Sequence, residues 1–204
     1  MVSRRLFVVF VALLGVQRLW EMRLSQRNER WLRARGAQEF APGQLTSMKV
    51  LHSAWLAAMV AEVVTLKRKV SPRLAAAAGL VFAAGQTLRY LAIRTLGRRW
   101  SVRVIAAPGL PPVEHGIYRY IRHPNYLGVA LEIVSAPSLH GAYLTAALFS
   151  ALNALVLRER IRTEEQVLAQ HPDYARRLQN AGRTVDITQT NPNYLQERLP
   201  AAKP

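Results

Sequence analysis

The sequence contains no cysteine. Disulfide bonds and thiolate-ligated metals are both excluded, and cysteine usage carries no information about the redox compartment. Nucleotide-binding patterns are missing as well, since no Gly-x-Gly-x-x-Gly follows a strand and no strands alternate with helices. A Rossmann-type cofactor site is therefore unsupported, and we expect no metal site.

Acidic residues are scarce. The chain has 12 Asp and Glu against 28 Lys and Arg, which gives a net charge of +16, yet half of its residues are hydrophobic. A mean hydropathy of +0.03 at this charge means that charged and apolar residues occupy separate stretches. A charge of this size is typical of nucleic-acid-binding proteins or of membrane proteins with basic loops. Because the arginines flank apolar runs too long for a small soluble domain, the pattern favours an integral membrane protein without a nucleic-acid partner.

Five apolar runs predict about five transmembrane helices in an all-α membrane protein. The runs are 6–19, 50–66, 74–93, 126–137 and 142–157. A helix rises about 1.5 Å per residue, so the third run is long enough for a hydrocarbon core of about 30 Å. The first run follows Arg4 and Arg5 like a signal peptide, but no Ala-x-Ala site follows it, so we expect a retained anchor. The last two runs are short and nearly adjacent, which predicts a tight helical hairpin.

The distribution of basic residues predicts the orientation in the membrane. Lysine and arginine are concentrated at 23–49, at 94–122 and after residue 157, and they are fewer on the opposite side. Basic loops stay in the cytoplasm, so we expect those three regions to be cytoplasmic and the N-terminus to be outside. We expect one domain over 1–204, with three spans in 1–93, a catalytic core in 94–180 and a tail in 181–204.

Several polar residues lie inside the apolar runs, where charge is costly and usually functional. Those in the predicted cytoplasmic half are Arg18, His52, Gln86, Arg89 and Glu132. Snorkelling or pairing between helices explains Arg18, His52 and Arg89 equally well. Glu62 lies near the opposite face, where it can snorkel, and we assign it no role.

Glu132 has a more specific setting. It shares one helix face with Asn125 and Gly128, at the spacing i, i+3 and i+7. The missing side chain of Gly128 would let a ligand approach the backbone, with Glu132 behind it. The alternative is close helix packing at Gly128, with Glu132 paired to Arg89.

Two motifs resemble the signature of isoprenylcysteine carboxyl methyltransferases. The first is Gly116-x-Tyr118-x-x-x-Arg122-His123-Pro124-x-Tyr126-x-Gly128. The second, beyond the hairpin, is Arg160-Ile161-x-x-Glu164-Glu165-x-x-Leu168, followed by Tyr174 and Arg176-Arg177. Their order and spacing match the family, and the resemblance covers mainly 96–177. The N-terminal spans, with Gln17-Arg18 and Asn28-Glu29-Arg30, look more like a bacterial branch that O-methylates lipidic pyrones.

The resemblance implies S-adenosyl-L-methionine in a cytoplasmic pocket closed by a C-terminal helix, and a lipidic or lipidated methyl acceptor. The cofactor-binding residues that it implies are Tyr118, Arg122, His123, Pro124, Tyr126, Gly128 and Glu164. The residues that we expect to act in catalysis are Glu132, Glu165, Arg176 and Arg177. The eukaryotic carboxyl methyltransferases carry a histidine shortly before the Gly-x-Tyr segment. This chain has Leu110-Pro111-Pro112-Val113 there, a departure that leaves the acceptor open.

These residue types suit the cofactor's chemistry. Aromatic faces and carboxylates stabilise a sulfonium cation, and arginine or histidine binds a carboxylate. An ionised oxygen acceptor needs chiefly alignment with the methyl group, and Arg176 or Arg177, or less readily Arg89, can orient it. Two simpler interpretations stay open. Tyr118 and Tyr120 can belong to an aromatic belt at the membrane interface, and residues 158–165 can form a solvated, charged helix.

Three alternatives to an O-methyltransferase stay open. A nicotinamide-dependent membrane reductase of the sterol-reductase type carries a similar Arg-His-Pro-Asn-Tyr element, and this chain has that Asn125. A phospholipid N-methyltransferase would use the same cofactor, but its amine acceptor would need a base. A non-catalytic membrane scaffold would leave the ring residues around His123 unexplained.

Overall fold

The computed structural model describes residues 4–107 and 109–170, which form five helices and a two-stranded ribbon. The elements are α1 (Arg4–Arg33), β1 (Gln38–Phe40), α2 (Gly43–Leu66), α3 (Pro72–Leu96), β2 (Val104–Ala106), α4 (Pro124–Ser138) and α5 (Tyr143–Ala169). Two 3₁₀ turns lie at Gly97–Arg99 and Gly116–Arg119. The predicted helical class is confirmed for these residues, and so is the tight connection between the last two helices.

The helices extend beyond the apolar runs that predicted them, and α1 and α5 extend furthest. Helix α1 continues through the arginine-rich segment to Arg33, and α5 joins the last apolar run to the charged second motif. Two helical stretches, Gly43–Leu66 and Pro72–Arg99, are long and apolar enough to cross a membrane. Helix α4 has only 15 residues, which is fewer than a span needs. The five spans therefore stay a prediction.

The described helices expose many large apolar side chains. They include Leu6, Leu13, Val16, Val50, Leu74, Leu80, Leu144, Leu148 and Leu155. Soluble monomers rarely expose this many large apolar side chains, whereas lipid-facing helices require them. The surface therefore agrees with the membrane class expected from composition.

The ribbon was not predicted from the sequence. Strands β1 and β2 pair in an antiparallel register, with Gln38 opposite Ala106 and Phe40 opposite Val104. An ion pair of 2.9 Å joins Arg33 to Glu39, and Arg103 contacts the same carboxylate. Three-residue strands are too short to show a period of two, so only the pairing across the fold reveals them.

The crossing of α3 and α4 brings two glycines together. A Cβ atom built on Gly128 would lie 2.7 Å from the Gly85 oxygen and 2.6 Å from Cγ of Arg89. A Cβ on Gly85 would lie 2.9 Å from the Gly128 oxygen. Small residues let helix backbones approach this closely in membrane proteins. The structure thus places Gly128 at a helix crossing.

Glu62 of α2 caps helix α5 from another part of the chain. Its carboxylate accepts hydrogen bonds from the Leu144 N–H at 3.1 Å and from the Thr145 N–H and hydroxyl at 2.7 Å each. Arg68 also donates to it at 2.7 Å. Helix α5 has no side-chain cap of its own, so Glu62 satisfies its first amides. The sequence alone assigns no role to Glu62.

Candidate active site

A cavity of about 380 Å³ lies between the helices and the loops that precede α4. Part of its wall is apolar: Leu19, Met22, Leu45, Met48, Leu56, Val129 and Leu157. The polar part contains residues of both sequence motifs: Tyr118, His123, Asn125, Tyr126, Arg160 and Glu164. The cavity can therefore receive a molecule with an apolar portion and a polar end.

A second cavity, of about 160 Å³, lies between the ribbon, the loop after it and the end of α5. Its wall includes Val104, Ala106, Leu110, Pro111, Pro112, Val113, Val167 and Leu168. Tyr126 and Glu164 line both cavities, together with Leu96 and Ser101. The two cavities are therefore adjacent, and Tyr126 and Glu164 belong to the wall between them.

His123 joins the two motifs. It immediately precedes Pro124, which begins α4 at the position where proline is favoured. Its ring stacks on Tyr126 with centroids 5.6 Å apart, and Nε2 lies 3.4 Å from the Glu165 carboxylate. Nδ1 lies 3.7 Å from Glu164, so the imidazole faces two consecutive carboxylates of α5. The start of α4 is thereby positioned against the end of α5.

Arg122 and Glu165 strengthen the same contact. Their side chains form an ion pair of 3.3 Å, one residue before the His123 contact. Both residues are in the predicted site, and neither lines either cavity. Their position suits holding His123 and α5 in place more than touching a ligand.

Tyr126 lies beside two charged residues of α5. The Arg160 guanidinium carbon is 5.7 Å from its ring centroid, and the Glu164 carboxylate is next to its hydroxyl. Arg160 is almost fully buried, and its Nη2 donates to the Val102 carbonyl at 2.8 Å. Arg160 and Glu164 are one helical turn apart, and both face the larger cavity. Arg160 belongs to the second motif but is not among the site residues that the sequence predicts.

Tyr118 lines the larger cavity from the 3₁₀ turn at Gly116–Arg119. Burial, and to a smaller extent the Glu164 carboxylate, raise the pKa of its hydroxyl above the ordinary value. The hydroxyl therefore stays neutral at physiological pH. Gly116 allows the turn, because its φ is +58° and a Cβ there would lie 2.8 Å from Oγ1 of Thr95.

The loop at 97–102 is fixed by contacts that the sequence did not reveal. The Asn28 side chain of α1 donates to the carbonyl oxygens of Gly97 at 3.2 Å and Trp100 at 2.8 Å. The Val102 N–H donates to Oγ of Ser25, also on α1, at 2.9 Å. These bonds hold the backbone of residues 100–102, which line the larger cavity, against α1. The only hint in the sequence was the Asn28-Glu29-Arg30 resemblance.

Glu132 belongs to a buried cluster of four charges and lines neither cavity. It pairs with Arg89 at 3.0 Å and contacts Arg18, while Arg18 pairs with Glu21 at 2.7 Å and Arg89 contacts Glu21. Two cations and two anions balance within the cluster, as buried charges require. The packing alternative for Gly128 and Glu132 describes what the structure shows, since α3 fills the space beside Gly128. A ligand cannot approach the backbone there.

Other predicted site residues are placed as follows. Pro124 is fully buried at the start of α4 and lines neither cavity. Arg176, Arg177 and Tyr174 lie outside the described residues. Within residues 4–107 and 109–170, no group of three or more His, Asp or Glu side chains is arranged to hold a metal ion.

Comparisons with known proteins give a match to a family model and matches to relatives. The model of the isoprenylcysteine carboxyl methyltransferase (ICMT) family matches residues 77–170, a range that contains most of α3, the first motif, the hairpin and the second motif as far as Leu168. The chain is 34% identical over 166 residues to the uncharacterized protein YpbQ of Bacillus subtilis, covering 81% of this chain and 98% of that protein. An uncharacterized protein of Haemophilus influenzae is 26% identical over 166 residues, covering 79% of this chain and 94% of that protein.

A third relative carries an activity in its name. Protein-S-isoprenylcysteine O-methyltransferase of Schizosaccharomyces pombe is 34% identical over 86 residues, covering 41% of this chain and 36% of that protein. No solved structure gives a significant match. The reductase and the phospholipid N-methyltransferase receive no support from these matches. The resemblance seen in the two motifs is thus confirmed: the chain belongs to the isoprenylcysteine carboxyl methyltransferase family, a family of methyltransferases.

Proposed function

We propose that this protein transfers a methyl group from S-adenosyl-L-methionine to an oxygen atom of a lipidic acceptor within the membrane. The observation that carries the proposal is the pair of adjacent cavities that share Tyr126 and Glu164. A two-substrate transfer requires two binding spaces that meet where the group moves. The acceptor oxygen is a carboxylate or an acidic enol or hydroxyl.

The residues at the shared wall fit S-adenosyl-L-methionine. Glu164 and the stacked rings of His123 and Tyr126 offer a carboxylate and aromatic faces to a sulfonium cation. The apolar wall of the smaller cavity, with Pro111, Pro112 and others, suits a flat adenine ring. Oδ1 of Asn125, beside these rings, is a buried acceptor without a partner among the described residues, which suits an amino group. When bound, the cofactor supplies an electrophilic methyl group.

The larger cavity suits the acceptor. Its apolar wall, between α1 and α2, accommodates a hydrocarbon chain, and its polar end lies at the shared wall. An acceptor held there has its oxygen near the cofactor, and alignment of this kind supplies much of the rate of a transfer reaction. Tyr118 adds a neutral hydroxyl that can donate to the acceptor. Arg176 and Arg177 stay proposed for orienting an anionic acceptor.

The roles of two proposed catalytic residues are restricted by their contacts. Glu165 acts by holding His123 and Arg122 at 3.4 Å and 3.3 Å. Glu132 acts by holding Arg18 and Arg89, which both line the larger cavity, while Glu132 itself lies behind them. Both are positioning residues in this proposal, and Gly128 contributes by bringing α3 and α4 together.

The proposed orientation follows from charge. Five spans with the cavities toward the cytoplasm place the arginine-rich end of α1, the ribbon and the charged end of α5 on one side. S-adenosyl-L-methionine is made in the cytoplasm, so the cofactor would enter from that side. The acceptor would enter sideways from the lipid, because its hydrocarbon chain resides there.

The test begins with the full chain purified in detergent and folded by circular dichroism. Calorimetry with S-adenosyl-L-methionine should show one binding site. Membranes that contain the protein, incubated with methyl-labelled cofactor, should yield a labelled lipid that mass spectrometry identifies. A base-labile label indicates an ester, and a stable label indicates an ether. Folded protein that binds no cofactor, or label that appears on nitrogen, would refute the proposal.

A further inference from the structure

His52 is a polar residue of α2 whose role the proposed reaction leaves unexplained. It lines the larger cavity, and its Nδ1 lies 2.8 Å from the carbonyl oxygen of Met48, one turn earlier in the same helix. A carbonyl oxygen only accepts hydrogen bonds, so Nδ1 of the neutral ring carries the hydrogen. Nε2 then bears the lone pair, on the ring edge that points away from the helix backbone. The cavity wall thus presents a hydrogen-bond acceptor.

The ring is held in this orientation. Trp55, which is fully buried, packs edge to face against it with centroids 6.3 Å apart and an angle of 78°. The indole is itself fixed by a hydrogen bond of 3.2 Å to the Ile133 carbonyl. Nε2 has no hydrogen-bond partner among residues 4–107 and 109–170. A fixed, unpartnered imidazole nitrogen at a cavity wall suits a substrate hydroxyl.

The charged groups near His52 provide no counter-ion paired with its ring among the described residues. Arg18, Arg89, Glu21 and Glu132 are the charged groups of the neighbouring cluster, and their charges balance. Lys49, one turn earlier on α2, lines the same cavity. No carboxylate pairs with the ring within the described residues, so nothing there fixes a proton on Nε2. A neutral imidazole is the form that can accept one.

We propose that His52 is the catalytic base for neutral hydroxyl acceptors, an assignment that rests on the proposed methyl transfer. Nε2 accepts a hydrogen bond from a phenol or enol hydroxyl of the acceptor. The new O–CH₃ bond forms as the S–CH₃ bond of the cofactor breaks, and the hydroxyl proton moves to Nε2. One cation, the sulfonium, is replaced by another, the imidazolium, so the net charge of the site is unchanged. The proton leaves to water after product release.

This role separates two classes of acceptor. A carboxylate is already ionised, needs no base and would face the lone pair of Nε2 unfavourably. A weakly acidic hydroxyl is neutral at pH 7, and removing its proton in the transition state accelerates the transfer by roughly 10²- to 10⁴-fold. His52 therefore extends the reaction to hydroxyls that do not ionise by themselves.

The experiment compares the full-length wild type, His52→Gln and His115→Gln in detergent. His115 is an exposed histidine that lines neither cavity and serves as the matched control. Calorimetry with S-adenosyl-L-methionine first establishes equal cofactor affinity in all three proteins. Methylation rates are then measured with alkylphenols of one tail length, whose ring substituents lower the hydroxyl pKa from about 10 to below the assay pH.

We expect His52→Gln to slow methylation of the least acidic phenol by roughly 10²- to 10⁴-fold and to leave the most acidic, ionised phenol near the wild-type rate. The plot of log rate against phenol pKa should be steeper for His52→Gln than for the other two proteins. Equal loss across the series, or no loss, would overturn the role of His52. Wild-type transfer to fatty acids but to no phenol would also overturn it and leave the proposed function intact. No transfer to any acceptor would overturn both.

Discussion

Arg89 of α3 and Glu132 of α4 form a buried ion pair of 3.0 Å, directly beside the crossing where Gly85 meets Gly128. The pair occupies the space that a ligand would need in order to reach Gly128. Arg89 lines the larger cavity while Glu132 lies behind it, so the cluster supports the cavity wall. Glu132, the most buried acidic side chain in the part of the chain that the structure describes, therefore supports the cavity wall without lining it.

Removing one charge from this cluster should destabilise the protein. Glu132→Gln leaves two buried arginines with one carboxylate, and breaking such a pair typically costs about 3–5 kcal/mol. Thermal unfolding in detergent, followed by circular dichroism, should show a large drop in the midpoint. The control is Glu159→Gln, whose exposed side chain lies 3.6 Å from Arg162 and should change little. Wild-type stability with lost cofactor binding would instead indicate that Glu132 touches the cofactor.

A second prediction concerns the crossing of α3 and α4, where Gly85 meets Gly128. Gly128→Ala would place a Cβ atom 2.7 Å from the Gly85 carbonyl oxygen, which is backbone and cannot move alone, so the helices must separate. Overpacking of this kind costs about 1–3 kcal/mol. Gly79→Ala, on α3, meets only Leu139 Cδ2 at 3.8 Å and should be neutral or stabilising. Unfolding midpoints that do not separate the two variants would contradict the packing role.

The remote cap of α5 can be tested apart from the site. Glu62→Ala removes the acceptor of the Leu144 and Thr145 amides, and leaving such donors unpaired costs about 1–3 kcal/mol. We expect a lower unfolding midpoint and unchanged cofactor affinity, because Glu62 lines neither cavity. Thr65→Ala, which loses only hydrogen bonds from the hydroxyl to carbonyl oxygens of its own helix, is the control. Weakened cofactor binding in folded Glu62→Ala would show that the cap is coupled to the site.

Glu164 should recognise the charge of the cofactor. Glu164→Gln keeps the shape of the side chain and removes a charge beside Tyr126 and His123. A hydrogen bond or contact with a charged group is worth about 1.5–3 kcal/mol, so affinity for S-adenosyl-L-methionine should fall at least tenfold. S-adenosylhomocysteine has no sulfonium, so its affinity should fall less. Calorimetry with both ligands measures the difference, and equal losses would place Glu164 away from the sulfur.

The sequence by itself determined the class of the protein and the family. The apolar runs and their lengths indicated the helices, because the positions of apolar residues are read directly from the sequence. The short gap at 138–141 indicated the hairpin. The motifs around His123 and Glu164 indicated the family, because the residue types that hold a ligand recur at a set spacing.

Only the tertiary structure decided which of these residues face a cavity. A helical period shows that Asn125, Gly128 and Glu132 share a face, but it does not show what packs against that face. Asn125 meets a cavity, whereas Gly128 and Glu132 meet α3 and its arginine. Glu21 likewise becomes part of a charge cluster only because α1 lies beside α3.

The sequence also could not predict that Tyr126 and Glu164 form a wall shared by two cavities. Tyr126 and Glu164 are 38 residues apart, and the distance between them depends on how the hairpin folds back, with Glu62 fixing the start of α5. The sequence determined the chemistry that this region can perform, since side-chain types are local. The structure decided where that chemistry converges, since contacts between distant helices arise from packing of whole faces.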